Sequence, residues 1–582
     1  MRRFRLLGEP AEVVVIIVTF RSVKDLPALI ESLRSEADLT DMRVIVADNQ
    51  SDDGSLQLAQ AYSDIIAIDT GGNLGYAGGV NRAMAYAGDI PAVLVLNPDL
   101  IVQTGCIRAL LNRLAGNVGA VVPLLKDGSG KLAHSLRNEP GLLRSLSDAL
   151  LGRVWRSRPA WLSEFIRDDR MYRTARRIDW ATGAAVMVAR RVWDAVGQWD
   201  ERFFLYSEET DYFTRIRAAG FSVWFEPAAE MLHRAGGSGN SPLLDALLVR
   251  NKVMYFCKHR PQVAGLFKLI MVLGLLLRRG NRSHDLSRKI LLNPGLEKEL
   301  PKAAYAAVAA ENFPPASIII PAHNECSVID RTLDGLDQLV AAGTVEVIVV
   351  PNGCTDDTAD RARRHHGVKV IELNTGSKVA ALNLGDAHAT RWPRLYLDAD
   401  IEVNQTALAQ AVRVLTGEGI HAARPAFLWN LEGAGPLVRA YYRARWRMPS
   451  MTTAIWGAGV YGLSQAGHKI LGEFPRLTGD DLLVERTFSA GRKYIASGPA
   501  VRVRMPLKAS DLIRVLARSR RGGSEQSLDT GHTSVRELLQ TMTDLGSCVD
   551  AVCFASISAI ARICAHQASG GWERDDSTRE SQ

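Results

Sequence analysis

The stretch VIVADNQSDDGS, residues 44–55, decides the fold class of this chain. Its first four residues have the composition of a buried strand, and an acidic, polar segment follows at once. Two more apolar runs flank it: residues 13–19 (VVVIIVT) precede a helical pattern at 26–33, and residues 92–96 (AVLVL) end in Asn97-Pro98-Asp99. Strands that alternate with helices in this way predict an α/β fold with helices on both faces of a mostly parallel sheet.

The same pattern returns roughly 300 residues later. Residues 317–320 lead to PAHNE, residues 345–350 lead to PNGCTDDT, and residues 395–397 lead to DAD. A repeat this long indicates duplicated domains rather than a solenoid of short units. We therefore predict a first domain with trailing helices at 1–290, a linker at 291–315, a second domain at 316–525, and a C-terminal helical segment with a polar tail at 526–582.

Acidic residues stand directly after the predicted strands in both halves. Open α/β sheets bind ligands beyond the carboxyl ends of their strands, so side chains from several strands converge on one crevice. A single aspartate after a strand is more often a helix N-cap, and Asp53 or Asp356 alone would be interpreted in that way. The ordered recurrence of the whole set favours a ligand crevice in each domain.

The amino-acid composition limits the classes of binding partner that we expect. The 582 residues include 70 Lys and Arg against 63 Asp and Glu, a net charge of +7. This balance favours diphosphates or anionic lipid, and it is equally consistent with a plain arginine-rich surface. We predict no nucleic-acid partner, because no aromatic and basic platform accompanies the charge. Seven scattered cysteines without a CxxC pair favour a reducing compartment over a zinc site or a disulfide framework.

Two apolar stretches, residues 269–277 and 551–561, are closed off by charged residues on both sides. Both are shorter than the roughly 20 residues that a membrane-spanning helix needs. They predict buried helices, the interpretation we prefer, or helices that lie on a membrane surface. The N-terminus lacks the apolar core of a signal peptide. We expect a cytoplasmic protein, or one in peripheral contact with the inner face of the cell membrane.

Both halves resemble the family 2 inverting glycosyltransferases, over roughly residues 12–260 and 316–525. The first half is most similar to bacterial rhamnosyltransferases, through the motifs DNQSDDGS (48–55), NLGYAGGVNRA (73–83), LNPD (96–99) and WDERFFLYSEETDYFTRIRAAG (199–220). The second half carries PAHNE (321–325), NGCTDDT (352–358), GSKVAALNLG (376–385), LDAD (397–400), GAGVYGLSQAG (457–467) and TGDDLLVER (478–486). The resemblance implies two tandem GT-A domains, Rossmann-like α/β folds with a mixed, mostly parallel sheet and additional helices after each.

The resemblance also implies a nucleotide-sugar site in each half. In the first half, Asp48 with Thr19 would recognise the base of the donor nucleotide, and Asp53 would lie near the ribose. The implied donor residues of the first half are Thr19, Asp48, Asp53, Asn81 and Asp99. Those of the second half are Pro321, Glu325, Asn352, Asp356, Lys378 and Asp398.

A divalent cation, Mg²⁺ or Mn²⁺, is implied as cofactor. Asp99 matches the last aspartate of the family's D-x-D motif, and His233 would complete its metal shell. In the second half the pair is Asp398 and Asp400. Oxygen ligands suit a hard cation, which neutralises the charge that develops on a departing diphosphate.

Paired acids supply the predicted catalytic base. The acceptor hydroxyl loses its proton as it attacks the sugar, and a carboxylate that accepts this proton accelerates such a reaction by about 10²–10⁴. In the first half the pair is Glu208-Glu209, with Glu209 at the base position. Relatives usually have aspartate there, so Asp211 is a candidate to share the role. In the second half the pair is Asp480-Asp481, with Asp481 as the base.

The halves differ in two expected contacts. Pro351 falls opposite Asp48, so the second half lacks the carboxylate that recognises the base, and we find no counterpart of His233 there. We nevertheless expect a bifunctional enzyme of bacterial polysaccharide or cell-envelope synthesis. Its implied donors are dTDP-rhamnose and a UDP- or GDP-hexose, and its implied acceptor is a glycan or a lipid-linked glycan.

Two alternatives stay open at this point. In the first alternative, one domain is an active glycosyltransferase and the other is catalytically silent and binds glycan or organises a complex. The other alternative is a sugar-phosphate nucleotidylyltransferase, which needs a glycine-rich basic loop after the first strand. It is disfavoured because no glycine lies between Val13 and Lys24.

Overall fold

The structure is a computed structural model that describes residues 3–152, 155, 158–234, 241–278, 282–476, 479–524, 535, 537–539, 541–542 and 545–567. The chain divides into two compact units, Met1–Tyr305 and Ala306–Gln582, which are called the first and the second unit below. The division falls inside the segment 291–315 that the sequence predicts as a linker.

The first unit alternates strands and helices along most of its length. Its strands are β1 Val13–Thr19, β2 Met42–Asp48, β3 Ile66–Asp69, β4 Gly72–Asn73, β5 Ala92–Leu96, β6 Leu100–Val102, β7 Val118–Asp127, β8 Leu136–Arg137, β9 Arg176–Arg177, β10 Trp180–Ala181, β11 Ala185–Ala189, β12 Ser222–His233 and β13 Ala304–Tyr305. Its helices are α1 Leu26–Glu36, α2 Ser55–Gln60, α3 Gly75–Met84, α4 Cys106–Arg113, α5 Leu142–Leu150, α6 Arg190–Val196, α7 Glu208–Ala218, α8 Pro242–His259, α9 Pro261–Leu276 and α10 Arg282–Leu292.

The second unit repeats this alternation with fewer strands. Its strands are β14 Ala316–Ala322, β15 Val345–Pro351, β16 Lys369–Val370, β17 Arg394–Leu397, β18 Ala422–Asn430, β19 Val460–Leu463 and β20 Lys493–Arg504. Its helices are α11 Ile329–Asp334, α12 Asp337–Ala341, α13 Thr358–Arg363, α14 Lys378–His388, α15 Gln405–Leu415, α16 Pro436–Trp446, α17 Ser450–Thr453, α18 Gln465–Leu471, α19 Asp480–Thr487, α20 Ala509–Ser524 and α21 Leu545–Gln567.

The two main sheets share one topology. The first has the order β3-β2-β1-β5-β11-β7-β12-β6, with β9 paired to β12, and the second has the order β16-β15-β14-β17-β19-β18-β20. In each sheet four parallel strands come first, an antiparallel strand (β11 or β19) follows, and a parallel pair (β7 and β12, or β18 and β20) comes next. The predicted α/β class with a mixed sheet is confirmed.

The position of strand β1 in the sheet explains why its sequence is apolar throughout. Val14, Ile16 and Val18 pack into the core on one face of the sheet, while the alternate residues of the strand pack into a separate core on the other face. Successive side chains of a strand point to opposite faces, so a sheet covered on both sides needs both sets apolar. The first polar groups therefore appear at the carboxyl ends of the strands, where Thr19 pairs in register with Asp48.

The predicted linker is ordered and belongs in part to the first unit. A 3-10 helix covers Pro294–Glu299, and β13 pairs antiparallel with β4. Gly72 has a φ of +150°, and a Cβ built on it would lie 2.1 Å from the carbonyl oxygen of Ala304. Only glycine allows the backbone of the linker to approach this closely.

The two predicted apolar helices exist, and neither is simply buried. Helix α9 buries one side and exposes leucines on the other. Within α21, the 20 residues Gly546–Ala565 are long and apolar enough to cross a membrane by length and composition alone, with 28% of the apolar window buried. The helix exceeds the predicted stretch because Asp550 is buried and paired with Arg443 and Arg447, so its charge does not interrupt the apolar surface. The predicted polar tail after residue 567 lies outside the described residues.

Candidate active site

The first polar cluster sits where β1 and β2 end. Thr19 Oγ1 donates to Asp48 Oδ1 at 2.7 Å, and the backbone and hydroxyl of Ser51 donate to the two Asp48 oxygens at 2.7 and 2.6 Å. Thr19 and Asp48 are fully buried. Protein donors occupy both oxygens of Asp48, so this carboxylate shapes the loop after β2 and offers no exposed oxygen to a nucleotide base.

Asp53 and Asp356 make the same local contacts in the two units. Asp53 accepts from the backbone and hydroxyl of Ser55 at 3.0 and 2.6 Å and from the Val23 backbone at 3.0 Å. Asp356 accepts from the corresponding groups of Thr358 and from the Cys326 backbone. Burial opposes ionisation, but these hydrogen bonds outweigh it and lower the pKa of both carboxyl groups. Each aspartate therefore ties the loop after one strand to the next helix.

Asp99 and His233 meet as the sequence predicts. Asp99 follows β5 and His233 ends β12, and Nε2 of the histidine lies 3.2 Å from Oδ1 of the aspartate. The backbone reinforces the contact, because Arg234 N donates to the Asp99 carbonyl at 3.0 Å. Asp99 Oδ1 is buried and accepts no hydrogen bond from the residues that the structure describes. A buried carboxylate oxygen beside an imidazole can supply two of the ligands of a divalent cation.

Glu208 and Glu209 begin helix α7 close to this pair. Burial, and for Glu208 also the neighbouring Glu209, raises the pKa of both carboxyl groups. Arg137 acts in the opposite direction on Glu209 and favours its ionised form. A carboxylate with a raised pKa suits a general base that works near neutral pH.

Tyr76 lies among these acids and was not among the predicted residues. Its hydroxyl donates to the Gly183 carbonyl at 3.0 Å. Burial and the charges of Glu208, Glu209 and Asp99 raise its pKa well above the ordinary value. These four groups and His233 form the first site. The sequence carries a signal for Tyr76, since it stands inside the NLGYAGGVNRA motif, from which only Asn81 was predicted as a site residue.

The glycines of that motif serve packing. Gly75 has a φ of +74°, and a Cβ on it would lie 2.0 Å from the Phe204 carbonyl oxygen. A Cβ built on Gly79 would lie 2.5 Å from the nearest atom of Val18, so this position has no room for a side chain. Helix α3 therefore needs glycine at these positions to approach the backbone before α7 and the side chains of β1.

Asp211 is buried among basic side chains. It has no exposed surface, and its carboxylate lies 2.8 Å from Arg215, 2.6 Å from Lys258 and 2.7 Å from His259. Burial opposes its charge, but these cations hold its pKa far below the ordinary range. Glu209 and Asp211 are two residues apart on a helix, so they point to different faces. The surroundings of Asp211 favour Glu208 and Glu209 as the acid pair of the first unit.

Asn81 makes a buried hydrogen-bonded contact within the first unit. Its amide nitrogen donates to the Trp199 carbonyl at 2.9 Å, and its oxygen accepts from the Trp199 backbone at 2.9 Å. Asn383 exchanges the same two hydrogen bonds with Phe474 in the second unit. Both amide ends of Asn81 are thus engaged in a buried contact, which leaves it a structural role.

The second site is a cleft of about 300 Å³, part of it open to solvent. Lys378 begins helix α14 and extends into the cleft, where Nζ lies 2.8 Å from Asp398 Oδ1 and 3.1 Å from Asp480 Oδ1. Burial opposes protonation of Lys378, but the two carboxylates outweigh it and raise its pKa. One ammonium therefore bridges the acid after β17 and the acid at the start of α19.

Asp481 stands next to this bridge and is held by a backbone donor. Gly457 N donates to Asp481 Oδ2 at 2.9 Å, and Tyr461 Oη donates to Asp480 Oδ2 at 2.8 Å. Burial and the charge of Asp480 raise the pKa of Asp481 to about 6, although Lys378 works against the rise. Lys378, Asp398, Asp480, Asp481 and Tyr461 form the second site together with Pro321, which lines the same cleft.

The remaining predicted residues of the second unit lie around the cleft. Asp400 is half-buried, and its carbonyl accepts from Arg331 at 3.0 Å. Asn352 donates its amide to the Ala322 carbonyl at 2.9 Å and accepts from Ser377 N at 3.1 Å, so it orders two loops. Glu325 N donates to Thr358 Oγ1 at 2.7 Å at the entry to α11. Neither Asn352 nor Glu325 lines the cleft.

The chain is similar to known glycosyltransferases in sequence. The family model described as "Glycosyl transferase family 2" matches residues 14–186 and 317–452. An N-acetylglucosaminyl-diphospho-decaprenol L-rhamnosyltransferase of Mycobacterium tuberculosis is 35% identical over 242 residues, which are 39% of this chain and 78% of the relative. The hexosyltransferase Agl10 of Haloferax volcanii, which acts in low-salt glycan biosynthesis, is 29% identical over 38% of this chain and 66% of its own length. A mannosyltransferase structure from Pyrobaculum calidifontis overlaps with a TM-score of 0.31 and 18% identity, over 56% of this chain and 88% of that one.

Proposed function

This chain belongs to glycosyl transferase family 2, and on that premise we propose that each of its two units is a GT-A glycosyltransferase domain with its own active site. The observation that carries the proposal is the repeated geometry of the two sites. In the first unit, the charges of Asp99 after β5 and of Glu208 and Glu209 at the start of α7 all act on Tyr76. In the second unit, Asp398 after β17 and Asp480 at the start of α19 both pair with Lys378. Silent copies of an enzyme have no need to retain such costly buried acids.

The proposed reaction is an inverting displacement on a nucleotide sugar. The acceptor hydroxyl oxygen forms a bond to the anomeric carbon while the bond from that carbon to the diphosphate oxygen breaks. The hydroxyl proton moves to Glu209 in the first unit and to Asp481 in the second. A divalent cation, Mg²⁺ or Mn²⁺, would supply positive charge that neutralises the departing diphosphate.

Asp99 and His233 would hold the cation in the first unit. The buried Asp99 Oδ1 without a hydrogen-bond donor among the described residues fits that role. Asp398 and Asp400 would hold it in the second unit. There Lys378 already pairs with one oxygen of Asp398, so the second site brings a permanent positive charge of its own to the diphosphate.

Donor and acceptor classes follow from the relatives. The relative from Mycobacterium tuberculosis is named as a rhamnosyltransferase that acts on a decaprenyl-diphosphate-linked sugar. This supports dTDP-rhamnose as the donor of the first unit and a lipid-linked glycan of the bacterial cell envelope as acceptor. We propose a UDP- or GDP-hexose for the second unit, whose strand ends place Ala322 and Pro351 where the first has Thr19 and Asp48.

The same difference favours a second candidate function. Because Pro351 replaces a carboxylate that shapes the loop after β2, the second unit has a different loop at the nucleotide end. A unit that binds glycan without turning over a donor is consistent with this change. The two candidates differ in how many nucleotides one chain binds.

Calorimetric titration with dTDP, UDP and GDP, in Mg²⁺, in Mn²⁺ and with a chelator, tests the proposal without any acceptor. We expect two metal-dependent sites per chain. Asp99→Asn should remove one of them and Asp398→Asn the other, while Asp169→Asn, an exposed carboxylate outside both sites, should leave both. One site would favour the silent second unit, and no metal-dependent binding at all would overturn the proposal.

A further inference from the structure

Exposed leucines and tryptophans form one surface on the first unit. On α9, Leu266, Leu269, Leu273 and Leu277 are 51%, 63%, 39% and 56% exposed. Their spacing of three and four residues places all four on one stripe of the helix. On α5 and the chain after it, the exposed large apolar residues are Leu143, Leu150, Leu151, Trp155 and Trp161.

The two stripes adjoin, because α5 and α9 pack side by side. A Cβ built on Gly274 would lie 3.0 Å from the Ala149 Cβ, and Arg278 donates to the Asp148 carbonyl at 2.7 Å. Leu150 and Leu273 are adjacent in sequence to Ala149 and Gly274, the two residues of this contact. We call these nine residues the leucine surface. A contiguous exposed apolar surface of this kind on a folded protein marks an interaction site.

The charges around the leucine surface are mostly positive. Residues 261–281 contain a lysine and two arginines and no acidic residue, and residues 142–177 contain nine arginines against four acids. Arg144 donates to the carbonyls of Glu139 and Trp161, and Arg278 to that of Asp148. These hydrogen bonds fix the guanidinium groups without pairing them to a carboxylate, so their charge is kept.

We propose that the leucine surface docks the first unit on the surface of an anionic lipid bilayer. Leucines beside arginines and lysine, with tryptophans among them, match the boundary between acyl chains and negative headgroups. A second copy of this chain fits less well, because a two-fold contact would bring like charges together around the apolar centre.

Helix α9 lies on the bilayer and does not cross it. Its 16 residues span about 24 Å, which is less than the hydrocarbon core of about 30 Å. Its inner side is part of the core of the unit, where Phe267 stacks on Phe256 at 3.6 Å between ring centroids. Insertion across the membrane would remove these buried residues from their neighbours, so contact is limited to the outer stripe.

Flotation of the full-length protein with phosphatidylcholine vesicles, with and without phosphatidylglycerol, tests the proposal. We expect binding that grows with phosphatidylglycerol content and weakens with salt. The double variant Leu269→Gln/Leu273→Gln should lower the partition coefficient by about tenfold or more. Lys268→Gln should lower it by about fivefold on anionic vesicles only. Because the leucines are exposed, circular dichroism and melting temperature should stay unchanged.

The matched control is Ile470→Gln, which removes an equally exposed apolar side chain from α18 in the second unit. It should bind vesicles like the unchanged protein. Equal binding by the Leu269→Gln/Leu273→Gln variant would overturn the proposal and point to another segment, such as α21. A protein that fails to float, but is a dimer in lipid-free buffer that this variant converts to a monomer, would overturn it in favour of a second copy.

Discussion

Tyr76 and Lys378 hold corresponding positions in the two units. Each stands five residues before an asparagine, Asn81 or Asn383, that exchanges two hydrogen bonds with the backbone of an aromatic residue. Burial and the charges of three carboxylates raise the pKa of Tyr76 in the first unit, whereas the ammonium of Lys378 bridges two carboxylates in the second. The two sites therefore carry different charge, although their acids are arranged alike.

Removal of the Lys378 ammonium should impair the second unit alone. Lys378→Met leaves Asp398 and Asp480 without their shared cation, and we expect turnover of the second donor to fall about 100-fold, the usual effect of removing one aligned electrostatic group. Lys378→Arg should recover part of it. Tyr76→Phe, the matched change in the first unit, removes one hydroxyl and should lower turnover of the first donor less than about fivefold. Steady-state kinetics with each donor measures this, and wild-type turnover by Lys378→Met would contradict it.

The activity of the second unit should fall in mild acid. Asp481 accepts a proton only when it is ionised, and its pKa is raised to about 6. Between pH 7 and pH 5 the ionised fraction, and with it kcat/KM for the second donor, should drop about tenfold. Lys378 lowers this pKa, so Lys378→Met should move the midpoint to higher pH. A pH profile that stays flat down to pH 5 would show that another group is the base.

Glu208→Gln should stabilise the first unit at alkaline pH. Burial and Glu209 raise the pKa of Glu208 in the folded state. Above the ordinary value of 4.5 the unfolded chain loses this proton first, so the carboxyl makes folding less favourable as pH rises. The variant should gain about 1 kcal/mol or more at pH 8 and nothing at pH 4. Scanning calorimetry at both values, with the exposed Glu299→Gln as control, measures the difference, and an equal gain at both would contradict the assignment.

Asp211→Asn should destabilise the first unit, whereas Glu208→Gln should stabilise it. Its carboxylate has no exposed surface, pairs with Arg215 and Lys258, and lies 2.7 Å from Nε2 of His259. Removal of one partner from a buried ion cluster costs roughly 3–5 kcal/mol. Because the folded pKa is depressed, the contribution is present above the ordinary value of 3.8 and is lost as pH falls below it. Urea unfolding at pH 7 should show the loss, and a variant as stable as Asp169→Asn would contradict the structural role.

The sheet and the acids at its edge were predictable from local sequence. Apolar runs that end in acidic segments fix strands and their polar ends, and the pairing of Asp99 with His233 followed from the resemblance. The sequence alone could also have separated Glu209 from Asp211. A helix turns by about 100° per residue, so residues two apart point to different faces.

Other features depend on contacts that no local pattern carries. Asn81 bonds to Trp199 across 118 residues of chain, so its motif alone suggests a ligand. The Lys378 bridge needs three elements placed together by the sheet. The sequence left open whether α9 is buried or lies on a surface, because a short apolar run looks the same whether its outer stripe is covered or open.

The central claim is that each unit carries its own transferase site, and base-variant kinetics test it most directly. Nucleoside diphosphate release is measured with dTDP-rhamnose and with UDP- and GDP-hexoses, using a lipid-linked glycan extract as acceptor, for the unchanged protein, Glu209→Gln and Asp481→Asn. We predict that Glu209→Gln loses at least about 100-fold with one donor and keeps the other, and that Asp481→Asn does the reverse. Loss of both activities in one variant, with no effect of the other, would contradict two independent sites.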